Sequence, residues 1–459
     1  MFNQYIMRMK KLLLVACGFA LFTLRAIPVW AQAPAYTADV YIAPFSVESG
    51  DGMFGTIFGV SSNGEYAVGT DDYTESGGFM WKKETGEFVM IDLADYLNDV
   101  SDDGTVVGSF YIEVDGMETS VPGYYKDGQW TALPLLSNRI YSSNMNGMAV
   151  AISADGRYIA GWVASPEGFI YVPIVWENGV IKDTFDNLNV MGQGWVVKGM
   201  SDDGSIVTGL AEWESGARSS AVIIDGEEIR LTCLSDPLDT ADEDVWIDAE
   251  GHAKVSANGK YFAGYCAESA NGTGLQGWYW NPVVSDDTKG LVFLDANSMC
   301  LCVDNQGVIY GCDGLFGAAC QYKDGVKSDL ADLYDLHFEE DVMLSAVQDC
   351  SDDGRVLGGL AVAYKNGEMA YFPYVIVLRE NGEGAVNSTK EKINTVMMRG
   401  NTLYVGGQYQ AVRVYDTSGF CIANENSGSG TIALSAVPKG VYLVKVINGD
   451  IVNTFKVVR

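Results

Sequence analysis

The sequence predicts an all-β protein whose main body repeats one four-stranded unit. Three observations carry this prediction. A glycine-containing turn motif recurs along most of the chain, Asn-Gly or Asp-Gly pairs follow it at regular intervals, and helical periodicity is almost absent. The 459 residues include 53 Gly, only 11 Pro and 12% aromatic residues, a composition that is neither collagen-like nor disordered.

The recurring motif reads Ser, any residue, Asp or Asn, then Gly, followed by a short apolar stretch and a second Gly. Its seven copies start at Ser61, Ser101, Ser153, Ser201, Ser256, the degenerate Asp304, and Ser351. The first Gly recurs about every 48 residues, a period typical of repeat architectures. We interpret the Ser and Asp of this motif as turn residues that hydrogen-bond the local backbone.

The third copy shows what one repeat contains. Segments 148–153 and 157–163 predict two strands around the motif, and 171–176 and 180–185 predict a second hairpin around Asn178-Gly179. The second hairpin recurs at Asp127-Gly128, Asp225-Gly226, Asp324-Gly325 and Asn381-Gly382. Four antiparallel strands in about 48 residues is the size of a propeller blade, so we predict a seven-bladed β-propeller.

The seventh repeat has three clear strands, at 344–351, 356–364 and 371–379, but a poor fourth. An apolar segment at 39–45 has no partner nearby in the sequence. We expect it to pair with the seventh repeat and close the ring, because closure removes two exposed sheet edges. Residues 329–339 are the best candidate for one short helix.

The repeated turns resemble the probable extracellular repeat family, whose units share the Ser-any-Asp-Gly turn, the following Gly and a downstream aromatic residue near Asn-Gly. The resemblance covers residues 50–385 and implies a repeat fold without implying a ligand or an activity. We place the propeller at residues 36–385 and a polar linker at 386–391. Trp81 and Trp176 fall at repeat positions and are expected in the blade core.

The N-terminus has the pattern of a secretory signal peptide at residues 1–31. Basic residues precede a 13-residue apolar run at 12–24, and small residues follow at Ala31 and Ala33. Because the run is short for a bilayer, no membrane span is expected. An alternative is a lipoprotein box at 14–17, which would place a lipid on Cys17. Either way, the chain is expected to pass through the periplasm and to be secreted or displayed on the outer cell surface.

The C-terminal residues 392–459 differ in charge from the acidic body. The whole chain has a net charge of −31, yet this tail holds seven basic and three acidic residues, a shift that marks a domain boundary. Alternating apolar segments in the tail predict a small C-terminal β-sandwich. These segments are 402–406, 411–415, 431–434 and 441–447.

Three stretches of this tail resemble the C-terminal sorting domain of type IX secretion, and Phe420 departs from the family pattern, which usually has Arg there. The residues that carry the resemblance include Gly440, Tyr442, Lys445, Lys456 and Arg459. The resemblance implies the type IX secretion machinery as a partner and passage across an outer membrane. An ordinary, adhesive sandwich domain is the alternative.

Charge and motif content narrow the function classes. The acidic balance argues against nucleic acid and against anionic membrane surfaces, which both attract clustered Lys and Arg. No Ser lies in a Gly-any-Ser-any-Gly elbow, and the chain has only His252 and His337, so no residue is assigned a catalytic role. Paired carboxylates for glycoside hydrolysis remain an alternative, because the spacing that identifies them needs coordinates.

Two sets of residues are candidates for ligand binding. Asp242, Asp244, Asp248 and Glu250 belong to the richest acidic cluster, where calcium is the one cofactor that the sequence suggests, although acidic runs are commonly just solvated. Trp213, Trp246 and Trp278 fall at irregular repeat positions and are candidates to stack on sugar rings, with packing as the alternative.

Eight cysteines follow the signal peptide, and export to an oxidising compartment permits disulfides between them. Their spacing forms no framework, and Cys300 and Cys302 are expected on the same face of one strand. We therefore expect buried thiols, with a bridge such as Cys302 to Cys312 left open.

The favoured interpretation is a non-catalytic binding propeller on the cell surface or outside the cell, with a glycan or an extracellular protein as its partner. The alternatives are a secreted carbohydrate hydrolase that uses paired carboxylates and a purely structural surface component.

Overall fold

The computed structural model describes most of the chain between residues 36 and 458. The described ranges are 36–43, 47–48, 55–70, 77–136, 146–165, 171–185, 195–212, 218–231, 252–267, 275–281, 290–314, 317–338, 342–365, 368–380, 396–399, 402–405, 409–416, 421–426, 431–434, 438–448 and 451–458. The predicted signal peptide at 1–31 and the predicted linker at 386–391 lie outside the described residues.

Seven antiparallel sheets account for the strands between residues 36 and 380, and we number them in the order of their repeats. The chain begins with β1 (Tyr36–Ile42) and β2 (Val47–Glu48). Sheet 1 contains β3 (Thr56–Val60), β4 (Tyr66–Thr70), β5 (Gly78–Lys82) and β6 (Glu87–Ile91). Sheet 2 contains β7 (Ala94–Val100), β8 (Val106–Val114), β9 (Met117–Lys126) and β10 (Gln129–Ala132). Sheet 3 contains β11 (Gly147–Ile152), β12 (Tyr158–Ala164), β13 (Tyr171–Glu177) and β14 (Val180–Thr184).

The same order continues through the second half of the array. Sheet 4 contains β15 (Trp195–Met200), β16 (Ile206–Glu212), β17 (Arg218–Ile224) and β18 (Glu227–Leu231). Sheet 5 contains β19 (His252–Val255), β20 (Phe262–Ala267), β21 (Leu275–Trp280) and β22 (Leu291–Ala296). Sheet 6 contains β23 (Ser298–Val303), β24 (Ile309–Asp313), β25 (Ala319–Lys323) and β26 (Val326–Asp329), and the short helix α1 (Leu330–Leu333) follows. Sheet 7 contains β27 (Val342–Cys350), β28 (Val356–Lys365) and β29 (Glu368–Glu380).

The seven sheets form a closed ring with their first strands on the inside. Each first strand contacts the first strand of the next sheet, and β27 contacts β3. Apolar clusters fill the space between neighbouring sheets, as where Trp81 of sheet 1 packs with Val356 and Val377 of sheet 7. Trp81 and Trp176 are both fully buried, as expected for blade-core residues. The all-β propeller predicted from the sequence is confirmed.

The N-terminal strand completes sheet 7. β1 pairs antiparallel with β29, which puts Asp39 opposite Val377, and the short β2 pairs with the start of the same strand. An ion pair of 2.6 Å between Asp39 and Arg379 reinforces this register. Because the outermost strand of sheet 7 comes from the other end of the repeat array, opening the ring requires breaking this ladder. The expected closure is confirmed.

The repeated motif is a turn between the first and second strands of each sheet. In the third copy, the Ser153 hydroxyl donates to Asp155 Oδ1 over 2.8 Å, and the same oxygen accepts from the backbone N–H of Arg157 over 2.9 Å. Gly156 has a φ of 73°, in the left-handed region that favours glycine. The Ser and the Asp therefore satisfy the turn's own polar groups, as the sequence predicted.

The second Gly of each repeat is needed for a different reason, which is the close approach of a backbone carbonyl. A bulge in most of the inner strands shifts the register by one residue, as between Ala149 and Ala151. With or without a bulge, an inner-strand carbonyl lies over the second Gly of the neighbouring strand, since sheet 5 shows the same contact without a register shift. A Cβ placed on Gly161 would come within 2.1 Å of the Met148 oxygen, and all six equivalent glycines meet a carbonyl in the same way. Only glycine fits this position without a backbone shift.

The same kind of bulge corrects one expectation about the cysteines. Cys300 pairs with Gly311 and Cys302 with Tyr310, so the register shifts between them. Cys300 consequently packs in the cluster that includes Ala263 of sheet 5, and Cys302 packs with Leu357 of sheet 7. The two thiols lie on opposite faces of sheet 6, because the bulge inverts the alternation that an unbroken strand would give. No disulfide joins Cys302 to Cys312, and both are free thiols.

The described C-terminal strands form two sheets that share one core. One sheet holds β30 (Val396–Arg399), β31 (Thr402–Val405) and β34 (Thr431–Ala433). The other holds β32 (Ala411–Tyr415), β33 (Cys421–Asn426), β35 (Val441–Asn448) and β36 (Ile451–Val458). Leu403 and Ile432 of the first sheet pack against Val412 and Val444 of the second. This arrangement is the predicted β-sandwich.

Other local predictions have mixed outcomes. The helix expected within 329–339 is present as α1, and Asp329 caps it by accepting the backbone N–H of Ala331. The second hairpin turns have positive φ at both central residues, for example 52° at Asn178 and 75° at Gly179. The predicted hairpin at Asn381-Gly382 lies outside the described residues.

Candidate functional site

The central channel is the candidate site, because it is where the structure brings ionisable side chains of several sheets together. Seven inner-strand residues, each two positions before a repeat's turn, surround it, and we call them the channel ring. They are Gly59, Asp99, Ala151, Gly199, Lys254, Cys302 and Asp349. All but Gly59 line a cavity of about 70 Å³.

Two carboxylates of the channel ring hold neighbouring sheets together. Asp99 Oδ2 accepts the backbone N–H of Ile152 in sheet 3 over 2.9 Å, and its Oδ1 accepts that of Val100 over 2.8 Å. Asp349 Oδ2 likewise accepts the N–H of Val60 in sheet 1 over 2.9 Å. Inner strands have no further strand beside them, so these carboxylates satisfy N–H groups that the sheets leave free.

Lys254 supplies the positive charge of this cluster. Its Nζ lies 3.8 Å from Asp349 Oδ1, and the Lys254 and Asp349 side chains are only 18% and 15% exposed. Burial acts to lower the pKa of Lys254, but the carboxylates of Asp349 and Asp99 outweigh it, and the pKa is raised. Lys254 therefore stays protonated within the channel.

Burial has the opposite effect on the two carboxylates, because it raises their pKa values. Burial raises the pKa of Asp99 to about 7, and the nearby charge of Asp349 adds to the increase, while Lys254 and the two N–H donors oppose it. Burial also raises the pKa of Asp349, against the effect of Lys254. Asp99 thus changes charge near neutral pH, and the charge of Asp349 influences where it does so.

A second ring surrounds one end of the channel. It consists of the second residue of each turn, and we call it the turn ring: Ser62, Asp102, Ala154, Asp202, Ala257, Asn305 and Asp352. Hydrogen bonds join adjacent turns all the way round. The links include Asp352 N–H to the Ser62 carbonyl over 3.0 Å and Ala154 N–H to Asp202 Oδ1 over 2.8 Å.

The acidic members of the turn ring affect one another. Burial, followed by the charge of Asp202, raises the pKa of Asp352 to about 6. Burial also raises the pKa values of Asp102 and Asp202. Each of these carboxylates nevertheless accepts a hydrogen bond from a neighbouring turn, so their geometry serves the ring rather than a ligand.

His252 lies further along the channel wall, at the start of β19. Its Nε2 is 2.9 Å from the Leu301 carbonyl, and its ring stacks on Tyr265 with the centroids 6.0 Å apart. Burial, helped by Lys198 and Lys254, holds the pKa of His252 well below its usual range. The imidazole is therefore neutral, and it is tied to the backbone of sheet 6.

The sequence-predicted tryptophans give little support for a sugar site. Trp278 is 0% exposed in the core of sheet 5, so it has no ring face to offer, which corrects the expectation that it stacks on a sugar. Trp213 and Trp246 lie outside the described residues. The predicted calcium ligands Asp242, Asp244, Asp248 and Glu250 also lie outside them.

The residues of the predicted sorting motif lie on or beside the last strands of the sandwich. Gly440 directly precedes β35, Tyr442 is 5% exposed in the core, and the Lys445 ammonium lies 5.5 Å from the centre of the Tyr415 ring. Lys456 is part of β36, opposite Leu443, and Arg459 lies outside the described residues.

Asp99, Lys254 and Asp349 were not predicted as site residues from the sequence. The signal was available, because all three occupy the same repeat position, two residues before the turn, where an inner strand faces the channel. Alignment of the seven copies at that position isolates one Lys and two Asp among Gly, Ala and Cys.

Neither a group of metal ligands nor a membrane-spanning helix is found among the described residues. No three His, Cys, Asp or Glu side chains are grouped there so as to hold a metal ion. Among the same residues, no helix has the length and apolar character that a membrane crossing requires.

The channel's chemistry favours cohesion over catalysis. A cavity of about 70 Å³ has room for a few water molecules. Asp99 and Asp349 both accept hydrogen bonds from backbone N–H groups. These bonds occupy carboxylate oxygens that a general acid or a nucleophile would use. The cluster fixes the inner strands of sheets 2, 3, 5, 7 and 1.

Among known proteins, this chain matches solved structures, which include propellers. TolB from Acinetobacter baumannii matches at 13% identity over 74% of this chain and 80% of that chain, with a TM-score of 0.35. The Dos1 propeller matches at 11% identity over 72% and 95%, with a TM-score of 0.37. PorZ, a surface component of the type IX secretion system of Porphyromonas gingivalis, matches at 13% identity over 88% and 70%, with a TM-score of 0.31. At these TM-scores the similarities carry no information about function. No protein-family model and no curated protein matches the chain.

Proposed function

We propose that this protein is an exported, non-catalytic binding propeller that captures a glycan or an extracellular protein at one end of its ring. In this proposal the C-terminal sandwich directs the chain through type IX secretion to the outer surface. The observation that carries the binding role is the difference between the two ends of the ring.

One end, which we call the turn end, has short connections. The first-to-second strand turns and most third-to-fourth strand turns leave there, and the turn ring binds them together by hydrogen bonds. The exception is the connection at 281–290 in sheet 5. Short turns whose polar groups are already paired leave little surface for recognition.

The opposite end, which we call the loop end, receives the second-to-third strand and sheet-to-sheet connections. Their lengths vary widely, from one residue between β22 and β23 to the 20 residues between β18 and β19. The longest of them contains Trp246 and the acidic cluster. Because variable recognition residues are concentrated on loops held by a rigid scaffold, the loop end is the expected binding surface.

A glycan array of the purified full chain, run with and without a calcium chelator, tests this proposal. Selective binding that Trp246→Ala weakens at least tenfold supports it, and loss on chelation assigns calcium to the 242–250 segment. The matched control is Tyr261→Ala, an exposed aromatic at the turn end, which leaves binding unchanged. Equal loss in both variants, or binding to neither glycans nor extracellular proteins, contradicts the proposal and favours a structural role.

A carbohydrate hydrolase is the second candidate, and one observation favours it. Asp99 has a pKa of about 7 and a second carboxylate, Asp349, in the same cavity, a combination that is common in acid–base catalysis. The backbone hydrogen bonds that both carboxylates accept weigh against it. Turnover of a glycan that Asp99→Asn abolishes without a loss of folding would establish this alternative.

A further inference from the structure

We propose that Cys302 and Cys350 form a disulfide that joins sheet 6 to sheet 7 when the chain folds in the presence of a disulfide oxidant. The inference is independent of the binding role proposed above, because it concerns only the chemistry of two thiols at the channel wall.

The two thiols are neighbours across a sheet boundary. Cys302 belongs to the channel ring on β23, and Cys350 lies on β27, one residue before the turn of the next sheet. They share a side-chain hydrogen bond and line the same cavity. Two other pairs at the same repeat positions are in contact, because the Asp99 side chain reaches Ile152 and the Asp349 side chain reaches Val60. In each pair a channel-ring side chain contacts the residue that precedes the turn of the next sheet.

The other cysteines of sheet 6 are less suitably placed. Cys300 and Cys320 both lie opposite Gly311, on either side of β24. Two strand spacings put their Cα atoms roughly 9–10 Å apart, beyond the limit of about 7 Å for a disulfide. Cys312 pairs with Met299 and packs with Tyr265 and Ala346, away from the Cys302 cluster.

The chemistry is ordinary thiol–disulfide exchange. One thiolate of the pair attacks a sulfur of the oxidant, such as oxidised glutathione, forms a mixed disulfide and releases one glutathione thiolate. The second thiolate then attacks the protein sulfur of that mixed disulfide and releases the other glutathione. Two protein thiols are oxidised to one disulfide, one molecule of oxidised glutathione is reduced to two of glutathione, and two thiol protons are released or passed to the glutathione thiolates.

The environment decides when this exchange takes place. Burial raises the pKa of Cys302, and the hydrogen bond that the Cys350 thiol donates to Cys302, followed by burial, raises the pKa of Cys350. The thiolate forms are therefore scarce in the folded chain, and exchange there is slow. The bond forms most readily during folding, before both thiols are buried.

The test uses the full chain, unfolded with reductant and refolded with a mixture of reduced and oxidised glutathione. Remaining thiols are alkylated, and digestion with trypsin and chymotrypsin, which cleaves at Tyr310 between Cys302 and Cys312, precedes mass spectrometry. The expected result is a peptide containing Cys302 linked to one containing Cys350. The oxidised form is expected to melt on the order of 5 °C above the reduced form, because the bond closes a long loop in the unfolded chain.

Single variants separate this bond from general effects of oxidation. Cys302→Ser and Cys350→Ser are each expected to lose both the link and the thermal gain, whereas Cys320→Ser, a matched buried thiol of the same sheet, keeps both. Alkylation of both thiols in refolded wild-type chain, or a link from either one to another cysteine, overturns the proposal. The wild-type peptide map decides the matter even if a serine variant fails to fold.

Discussion

Replacing Asp349 by Ala tests whether the channel cluster holds the ring together. The change removes the acceptor of the Val60 N–H at the boundary between sheets 7 and 1, and takes away the carboxylate nearest to Lys254. A lost hydrogen bond to a charged group costs about 1.5–3 kcal/mol. Removing the partner of Lys254 adds about 1 kcal/mol, less than the roughly 3–5 kcal/mol for a buried charge left uncompensated, because Asp99 still acts on the Lys254 charge. The expected loss is therefore about 3 kcal/mol.

Thermal unfolding followed by circular dichroism measures this loss. For a ring of this size we expect the melting temperature of Asp349→Ala to fall by roughly 4–10 °C. The matched control is Asp183→Ala, whose side chain is 48% exposed and pairs with the adjacent Lys182, so its loss should stay within about 0.5 kcal/mol. Asp349→Asn keeps an acceptor for Val60 and should fall between the two. Equal melting temperatures for Asp349→Ala and Asp183→Ala would refute the reasoning.

Three further predictions concern the pKa of Asp99, the close packing around Gly161 and the positive φ of Leu93. Because the pKa of Asp99 is raised on folding, its contribution to stability is complete below the unfolded value near 4 and is lost as pH rises through about 7. Asp99→Asn cannot ionise, so its melting temperature relative to wild type should rise between pH 5 and pH 8, and parallel curves would contradict this. Gly161→Ala places a Cβ within 2.1 Å of a carbonyl and should cost several times the roughly 1 kcal/mol expected for Gly128→Ala, which has open space around it, as urea titration can show. Leu93 has a φ of 65° and is 58% exposed, so Leu93→Asn should raise the melting temperature slightly, and a decrease would show that Leu93 has a packing role.

Much of the fold could be predicted because its strongest determinants are local. The Ser-any-Asp-Gly turn and the Asn-Gly hairpins fix the strand ends by backbone conformation alone, and the predicted strands of the third repeat match the observed ones to within one or two residues. The closing strand was recognisable because 39–45 is apolar and has no local partner. Strands β30, β33 and β36 of the sandwich were missed.

The channel cluster was harder to predict, because its side chains come together only when the seven sheets close into a ring. Asp99 and Asp349 are 250 positions apart in the sequence, and each becomes significant only when an inner-strand edge of the next sheet presents an N–H to it. The positions of Cys300 and Cys302 were wrongly predicted because a bulge lies between them. A strict two-residue alternation puts both on one face, and one extra residue in the strand separates them.

The central functional claim is binding without chemical change at the loop end. Its most direct test is mass spectrometry of glycans that were captured by the full chain, incubated with it at pH 5 to 8 and then released. We predict that every captured glycan is recovered intact at each pH. Recovery of cleaved products that disappear in Asp99→Asn would contradict the account and identify the channel as an active site.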